Sequence, residues 1–188
     1  MNICVIDNYT DTTLSVDFSK LFRKIDKTVV ITTYSSTENE LLHKIRSGSF
    51  DAIMLTGSDR RIKTDRVLPV ALLKLKIPIL GICYGFQWMT HVLDGTLSSF
   101  ENNKNCNYTK FLTIDEPFVV SRRLYTLSHH DYITKVPKGF VDTLVYNNMI
   151  FMAFDKKNKH VGIQFHPEKH SPSAIEFFRS WIMYLKKN

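Results

Sequence analysis

The chain has 188 residues, 25 Lys and Arg against 18 Asp and Glu, a formal charge of +7, and hydrophobic and charged fractions of 44% and 23%. This is one domain's worth of ordinary globular composition, spanning residues 1–188, and it excludes disordered and collagen-like classes. No apolar run reaches the roughly 18–20 residues that span a bilayer, the opening MNICVIDNYT has no basic-then-apolar leader pattern, and Cys4, Cys83 and Cys106 show no C-x-x-C spacing, so a cytoplasmic protein without disulfide framework, zinc site or other metal is expected.

In chain order, Asn2 to Ile6 reads as a short buried strand. Leu14, Phe18, Leu21, Phe22 and Ile25 form the apolar face of a helix, and β-branched Thr28 to Thr33 a second strand. Thr37-Glu38-Asn39-Glu40 predicts a capping box ahead of a helix carrying Leu41, Leu42 and Ile45 and stopped by Gly48. Phe50 to Leu55 is a strand, Val67 to Leu75 a helix with Pro69 in its first turn, Ile77 to Ile82 a strand, and Phe86 to Leu93 a helix ended by Gly95. The second half is strand-rich: Tyr108 to Ile114, Phe118 to Leu127, Val141 to Val145, then a hairpin of Met149 to Phe154 and His160 to His166 around a polar turn. Ser171-Pro172 opens a last helix with Ile175, Phe178, Ile182 and Leu185 on its buried face.

Alternating helices and near-continuously apolar strands predict a parallel sheet covered on both faces. Ligands in such sheets bind beyond the carboxyl ends of the strands. Those ends are Asp7-Asn8-Tyr9, Thr56-Gly57-Ser58 and Cys83-Tyr84-Gly85.

Gly81-Ile82-Cys83-Tyr84-Gly85 carries the strongest chemical signal. A strand runs into a Cys flanked by Gly two residues before and after, and a helix follows; this is the nucleophile-elbow pattern with Cys in place of Ser. The turn strains the central residue, the glycines avoid a clash, and the helix N-terminus favours a thiolate. A nucleophile needs a base and the base an orienting group. Gly162-Ile163-Gln164-Phe165-His166-Pro167-Glu168 offers both, with His166 past a strand end and Glu168 able to reach back to it.

Together these segments resemble the class I glutamine amidotransferase domain, the Cys-His-Glu glutaminase of biosynthetic enzymes. Leu127-Ser128-His129-His130-Asp131 resembles the S-H-x-D segment of GMP synthetase glutaminases in particular. The resemblance implies a flavodoxin-like three-layer α/β sandwich, with a mostly parallel central sheet and a smaller antiparallel region in the C-terminal half. It implies that Cys83 attacks the glutamine carboxamide, that His166 moves the proton and that Glu168 orients His166. The backbone amides of Gly57 and Tyr84 then hold the oxyanion. Gln87 lines the glutamine pocket, and Ser128 and His129 offer main-chain contacts. The products are glutamate and ammonia, released through a thioester without a cofactor.

The implied partner is an ATP-dependent synthase of purine biosynthesis, since no P-loop motif is present to bind ATP in this chain. Thr56-Gly57-Ser58 departs from the family's usual G-G-P and resembles stand-alone γ-glutamyl peptidases, which is the alternative reading. A catalytically silent binding module is the third. Arg60, Arg61 and Lys63 rim the expected site and suit an acidic partner surface or a substrate carboxylate. The other basic residues are scattered, so neither nucleic acid nor membrane is expected as a partner. Adjacent His129 and His130 point to opposite strand faces and so do not share an ion.

Overall fold

A computed structural model describes residues 1–62, 68–101 and 105–187. Lys63 and Val67, named above, lie outside the described residues.

The first strand, β1 (Asn2–Asp7), pairs in parallel with β2 (Val30–Ser35) on one side and β3 (Ala52–Leu55) on the other. Next come β4 (Ile79–Ile82) and, out of chain order, β11 (His160–Ile163), both parallel to their neighbours. The order β2-β1-β3-β4-β11 is the flavodoxin-like 2-1-3-4-5 arrangement. The sheet then turns antiparallel through β10 (Met149–Asp155), β8 (Asp131–Lys135) and β5 (Thr96–Ser99), with β9 (Val141–Tyr146) pairing β10 off this path. A separate ribbon joins β6 (Cys106–Ile114) to β7 (Val120–His129).

Side chains alternate across the central strands, so each face builds its own core. Ile3, Val5, Met54 and Ile82 meet α1 (Phe18–Ile25) and α4 (Ser171–Lys186) through Phe18, Phe22, Phe178 and Trp181. Cys4, Ile6, Ile53 and Leu55 face the opposite layer of α2 (Leu41–Ser47), a 3-10 segment (Val70–Leu75) and α3 (Tyr84–Val92), through Leu41, Leu72, Phe86 and Trp88. Burial of both faces is why these strands read as unbroken apolar runs.

Several local expectations are corrected. Leu14 is not on the first helix: Asp11 caps a short 3-10 turn over Thr12–Leu14, Asp17 caps α1 afresh, and Leu14 is exposed. The second strand starts at Val30, because Asp26 accepts the Thr28 amide and hydroxyl at 2.9 and 2.6 Å and holds the chain in a turn. No capping box forms before α2. Thr37 bonds Ser35, Glu38 pairs with Lys44, and Glu40 adopts a left-handed φ of 59° without a side-chain cap bond.

Gly48 does end α2, its amide bonding the Lys44 carbonyl at 3.1 Å, but in extended backbone, and the left-handed turn after α3 falls on Asp94 rather than Gly95. Val70–Leu75 is 3-10 rather than α-helical. In α4 the buried stripe is Ala174, Phe177, Phe178, Trp181 and Ile182, while Ile175 and Leu185 are half-buried. The stripe is rotated because the β6–β7 ribbon also covers α4, with Phe118 lying 5.3 Å from Phe177 between ring centres. The edge strand β5 and its neighbour β8 carry too little apolar signal to have been read as strands.

Candidate active site

β4 delivers Cys83 to the sheet's carboxyl edge with φ 49° and ψ −99°, a backbone that L-residues avoid. The strain is held from both sides. The Cys83 amide donates to the Ile163 carbonyl at 2.7 Å, and its carbonyl accepts the first helical bond of α3 from the Gln87 amide at 3.0 Å. Side chains are excluded at the flanking glycines. A Cβ at Gly81 would lie 2.7 Å from backbone atoms of Gly85 and Phe86, and one at Gly85 would lie 2.7 Å from the Leu55 carbonyl oxygen. The spacing of the two glycines is therefore a packing requirement of the turn.

β11 runs beside β4, and the chain just past it brings His166 to the thiol. The His166 amide donates to the Thr126 carbonyl at 2.8 Å, fixing the residue against β7. Its ring lines the same cavity as the Cys83 thiol, and Nδ1 lies 2.7 Å from Glu168 Oε1, with both side chains 3% exposed. Burial by itself lowers the pKa of this imidazole. The Glu168 carboxylate, followed by the neighbouring Cys83, outweighs that and raises it above the ordinary range. The imidazole is thus favoured as a cation beside the Glu168 carboxylate, the state in which it can give a proton to a leaving group. Gln164 also approaches the thiol, its Nε2 lying 3.4 Å from Sγ.

The loop after β3 forms the facing wall. A Cβ on Gly57 would sit 2.7 Å from both His166 Cε1 and the Tyr9 hydroxyl, so the backbone here lies directly against the imidazole. The loop is stitched to the chain after β1. The Asn8 amide donates to Thr56 Oγ1 and its Nδ2 to the Thr56 carbonyl, each at 2.9 Å. Ser58 Oγ donates to the Asn8 carbonyl at 2.7 Å, and both the amide and hydroxyl of Thr10 donate to Asp59. Burial pushes the Tyr9 phenol upward, and the charges of Glu168 and Cys83 push it further, so it faces the site as a protonated donor.

The structure brings Cys83, Tyr84, Gln87, Ser128, His129 and His166 together around one cavity of about 320 Å³. Gly57 abuts it through His166, and Glu168 stands behind His166. Gln87 is anchored rather than free to turn: Nε2 donates to the Asp131 carbonyl at 2.6 Å and to Gln164 Oε1 at 3.3 Å. The Ser128 carbonyl lies 3.7 Å from the Cys83 sulfur. His129 is buried; its Nδ1 donates to the Asp131 carbonyl at 2.9 Å, and desolvation lowers its pKa to about 4, so it is neutral at physiological pH. Among the described residues no three His, Cys, Asp or Glu side chains are grouped as a metal site requires.

Three features were not singled out from the sequence. Tyr9 stood at a named strand end, so the carboxyl-end rule pointed at its place without giving its role. Gln164 lies inside the His166 motif. The third, Asp131 held by Arg61 and Ser99, joins positions far apart in the chain and leaves no local signal.

The family model for class I glutamine amidotransferases matches residues 4–182. A glutamine-hydrolysing GMP synthase of Wigglesworthia glossinidia brevipalpis is 31% identical over 179 residues, covering 82% of this chain and 33% of the relative. One from Streptococcus pneumoniae is 31% identical over 144 residues, covering 72% and 28%. The chain thus spans about a third of the length of the curated relatives it matches. Among solved structures, one described as a GMP synthase component from Thermoplasma acidophilum superposes with a TM-score of 0.78 at 18% identity, covering 99% of this chain and 94% of the other. A glutamine amidotransferase from Thermotoga maritima gives 0.66 at 17% identity, covering 98% and 84%. With a strained cysteine elbow, an imidazole buried beside it and a family match that runs through nearly every element described above, the chain belongs to the class I glutamine amidotransferases.

Proposed function

We propose that the chain is a glutaminase that releases ammonia from the glutamine side chain and delivers it to a separate ATP-dependent synthase, of the kind that makes GMP. The observation that carries the reading is the set Cys83, His166 and Glu168, with the thiol and the imidazole lining one cavity and the imidazole 2.7 Å from the carboxylate.

In this reading Cys83 attacks the carboxamide carbon. His166 gives its proton to the departing ammonia and then takes one from the water that cleaves the thioester. Glu168 keeps Nδ1 protonated and the ring in orientation, as the acid does in other triads. The amides of Gly57 and Tyr84 receive the oxyanion, and the glutamyl end lies along Ser128 and His129. The kinship with GMP synthases supports a purine-biosynthetic synthase as the partner, working beside a domain that covers residues 1–188.

The test is steady-state glutamine hydrolysis by the purified chain, with Cys83→Ala alongside, before and after addition of the synthase portion of a GMP synthase. Cys83-dependent turnover that rises with the synthase is the expected result. Turnover indifferent to it moves the assignment to the second reading, a γ-glutamyl hydrolase acting alone. The stitching of Thr56–Asp59 to Asn8–Thr10 favours that second reading specifically, since a loop already tied down needs no partner to order it.

A further inference from the structure

Two arginines follow the loop that carries Gly57, and the fold gives them opposite fates. Arg61 is committed to protein: its Nε and Nη2 hold the two carboxylate oxygens of Asp131 at 3.1 and 2.6 Å. Arg60 lines the same cavity as Cys83 and His166. Its backbone amide is fixed to Ser58 Oγ at 3.0 Å, and its Nη1 is buried with no hydrogen-bond partner among the described residues.

A guanidinium nitrogen withdrawn from water and left unpaired is costly. Its planar fork of donors matches a carboxylate better than any other common group. The acidic side chains that line the cavity are already engaged, Asp59 by Thr10 and Asp131 by Arg61 and Ser99. Lys169 adds a second positive charge to the lining. The cavity therefore offers an incoming anion a guanidinium that neither of the lining carboxylates engages.

We propose that Arg60 is a specificity-determining residue that binds a carboxylate of the γ-glutamyl substrate. The inference rests on the hydrolase reading above and adds what the substrate must carry besides its scissile amide. Glutamine and every γ-glutamyl compound bring the α-carboxylate of the glutamyl part. A γ-glutamyl peptide brings a second carboxylate on the leaving amine. The guanidinium meets the same chemistry in either, so the experiment separates the two sources.

Two substrate pairs are compared: L-glutamine against its α-amide, and γ-glutamylglycine against γ-glutamylmethylamide. Each is hydrolysed by wild type, Arg60→Met and Arg60→Lys, with folding checked by circular dichroism. Wild type is expected to prefer the carboxylate-bearing member of one pair at least. In that pair Arg60→Met raises KM by roughly 10- to 100-fold with kcat within a few-fold, loses the preference, and is partly rescued by Arg60→Lys. Loss in the first pair assigns the α-carboxylate; loss in the second assigns the leaving-group carboxylate. Arg60→Met that keeps the wild-type preference in both pairs overturns the proposal while leaving the hydrolase reading intact. If wild type hydrolyses none of the four, the hydrolase reading itself fails. Titration of L-glutamate into Cys83→Ala and Cys83→Ala/Arg60→Met protein then decides Arg60 alone: weaker binding by the double variant upholds it, and equal affinity overturns it.

Discussion

The parallel and antiparallel halves of the molecule divide the work of the site. From the parallel half, the chain past β1, β3, β4 and β11 contributes Tyr9, Gly57, Cys83 and His166, each within a few residues of a strand's carboxyl end. The antiparallel half contributes no member of the Cys83–His166–Glu168 set. It supplies the opposite wall through Ser128, His129 and Asp131, where β7 gives way to β8. Reacting groups thus sit on a scaffold buried on both faces, and the shape of the cavity is set by a ribbon and edge strands more open to solvent. The same scaffold can keep its chemistry while the wall is altered, which is how substrate choice and chemistry become separable.

Substitutions in the two halves should therefore fail differently. The largest expected effect is Cys83→Ala, which abolishes glutamine hydrolysis while melting within a few degrees of wild type, since removing the sulfur leaves the elbow's backbone bonds in place. Next is Gly57→Ala. Its methyl group would press on His166 and Tyr9, and turnover should drop by about two orders of magnitude or more, measured as kcat/KM, with far-UV circular dichroism unchanged. A melting temperature that collapsed in either variant would break the division, because it would make the scaffold depend on its own reactive groups.

Glu168→Gln should cost less, about 10- to 100-fold in kcat, and it carries a pH signature. Glu168 and Cys83 raise the His166 pKa in the folded state. The resulting stability is fully present below the imidazole's unfolded value of about 6.5 and is lost as pH rises through the raised folded value. The gap in melting temperature between wild type and Glu168→Gln should be widest near pH 6 and narrow toward pH 9; a gap constant with pH would contradict the charged state assigned to His166.

On the wall, Asp131→Asn should show the reverse profile. It weakens the two-point grip on Arg61 at a carboxylate only 3% exposed, and since Arg61 keeps partial access to water the cost should be about 1–3 kcal/mol by urea unfolding. KM should shift more than kcat. The smallest expected effect is Cys106→Ser, at a half-buried thiol that burial keeps protonated with a pKa near 11. Turnover should stay within about twofold, which would sharpen the assignment of thiol chemistry to Cys83.

The same division governs what could be read from the sequence. The parallel half announces itself because double burial makes its strands continuous apolar runs, and because the cysteine elbow and the His166–Glu168 segment are each compact in sequence. The antiparallel half was legible where a strand was long, as in β6 and β7, or closed by a polar turn, as in β10 and β11. It was illegible at β5 and β8, whose identity comes from pairing with each other. The misread helix starts share a cause: Thr37 and Glu38 found partners outside the local pattern, and Asp17 supplied a cap that the run from Leu14 to Ile25 concealed. Arg61 and Asp131, 70 residues apart, could be joined only by the fold.

The insertion of β11 beside β4 also has a temporal side. Ile82 pairs with Ile163, and the cysteine amide closes onto that same residue's carbonyl. Cys83 and His166 thus lie just past the ends of two adjacent strands but 83 positions apart along the polypeptide. Closing so large a loop is slow and entropically costly, and it awaits a segment that leaves the ribosome after most of the sheet. If the proposed roles hold, a growing chain that has already made its cysteine elbow is inert, and hydrolytic competence arrives when the β10–β11 hairpin docks and carries His166 and Glu168 into place together.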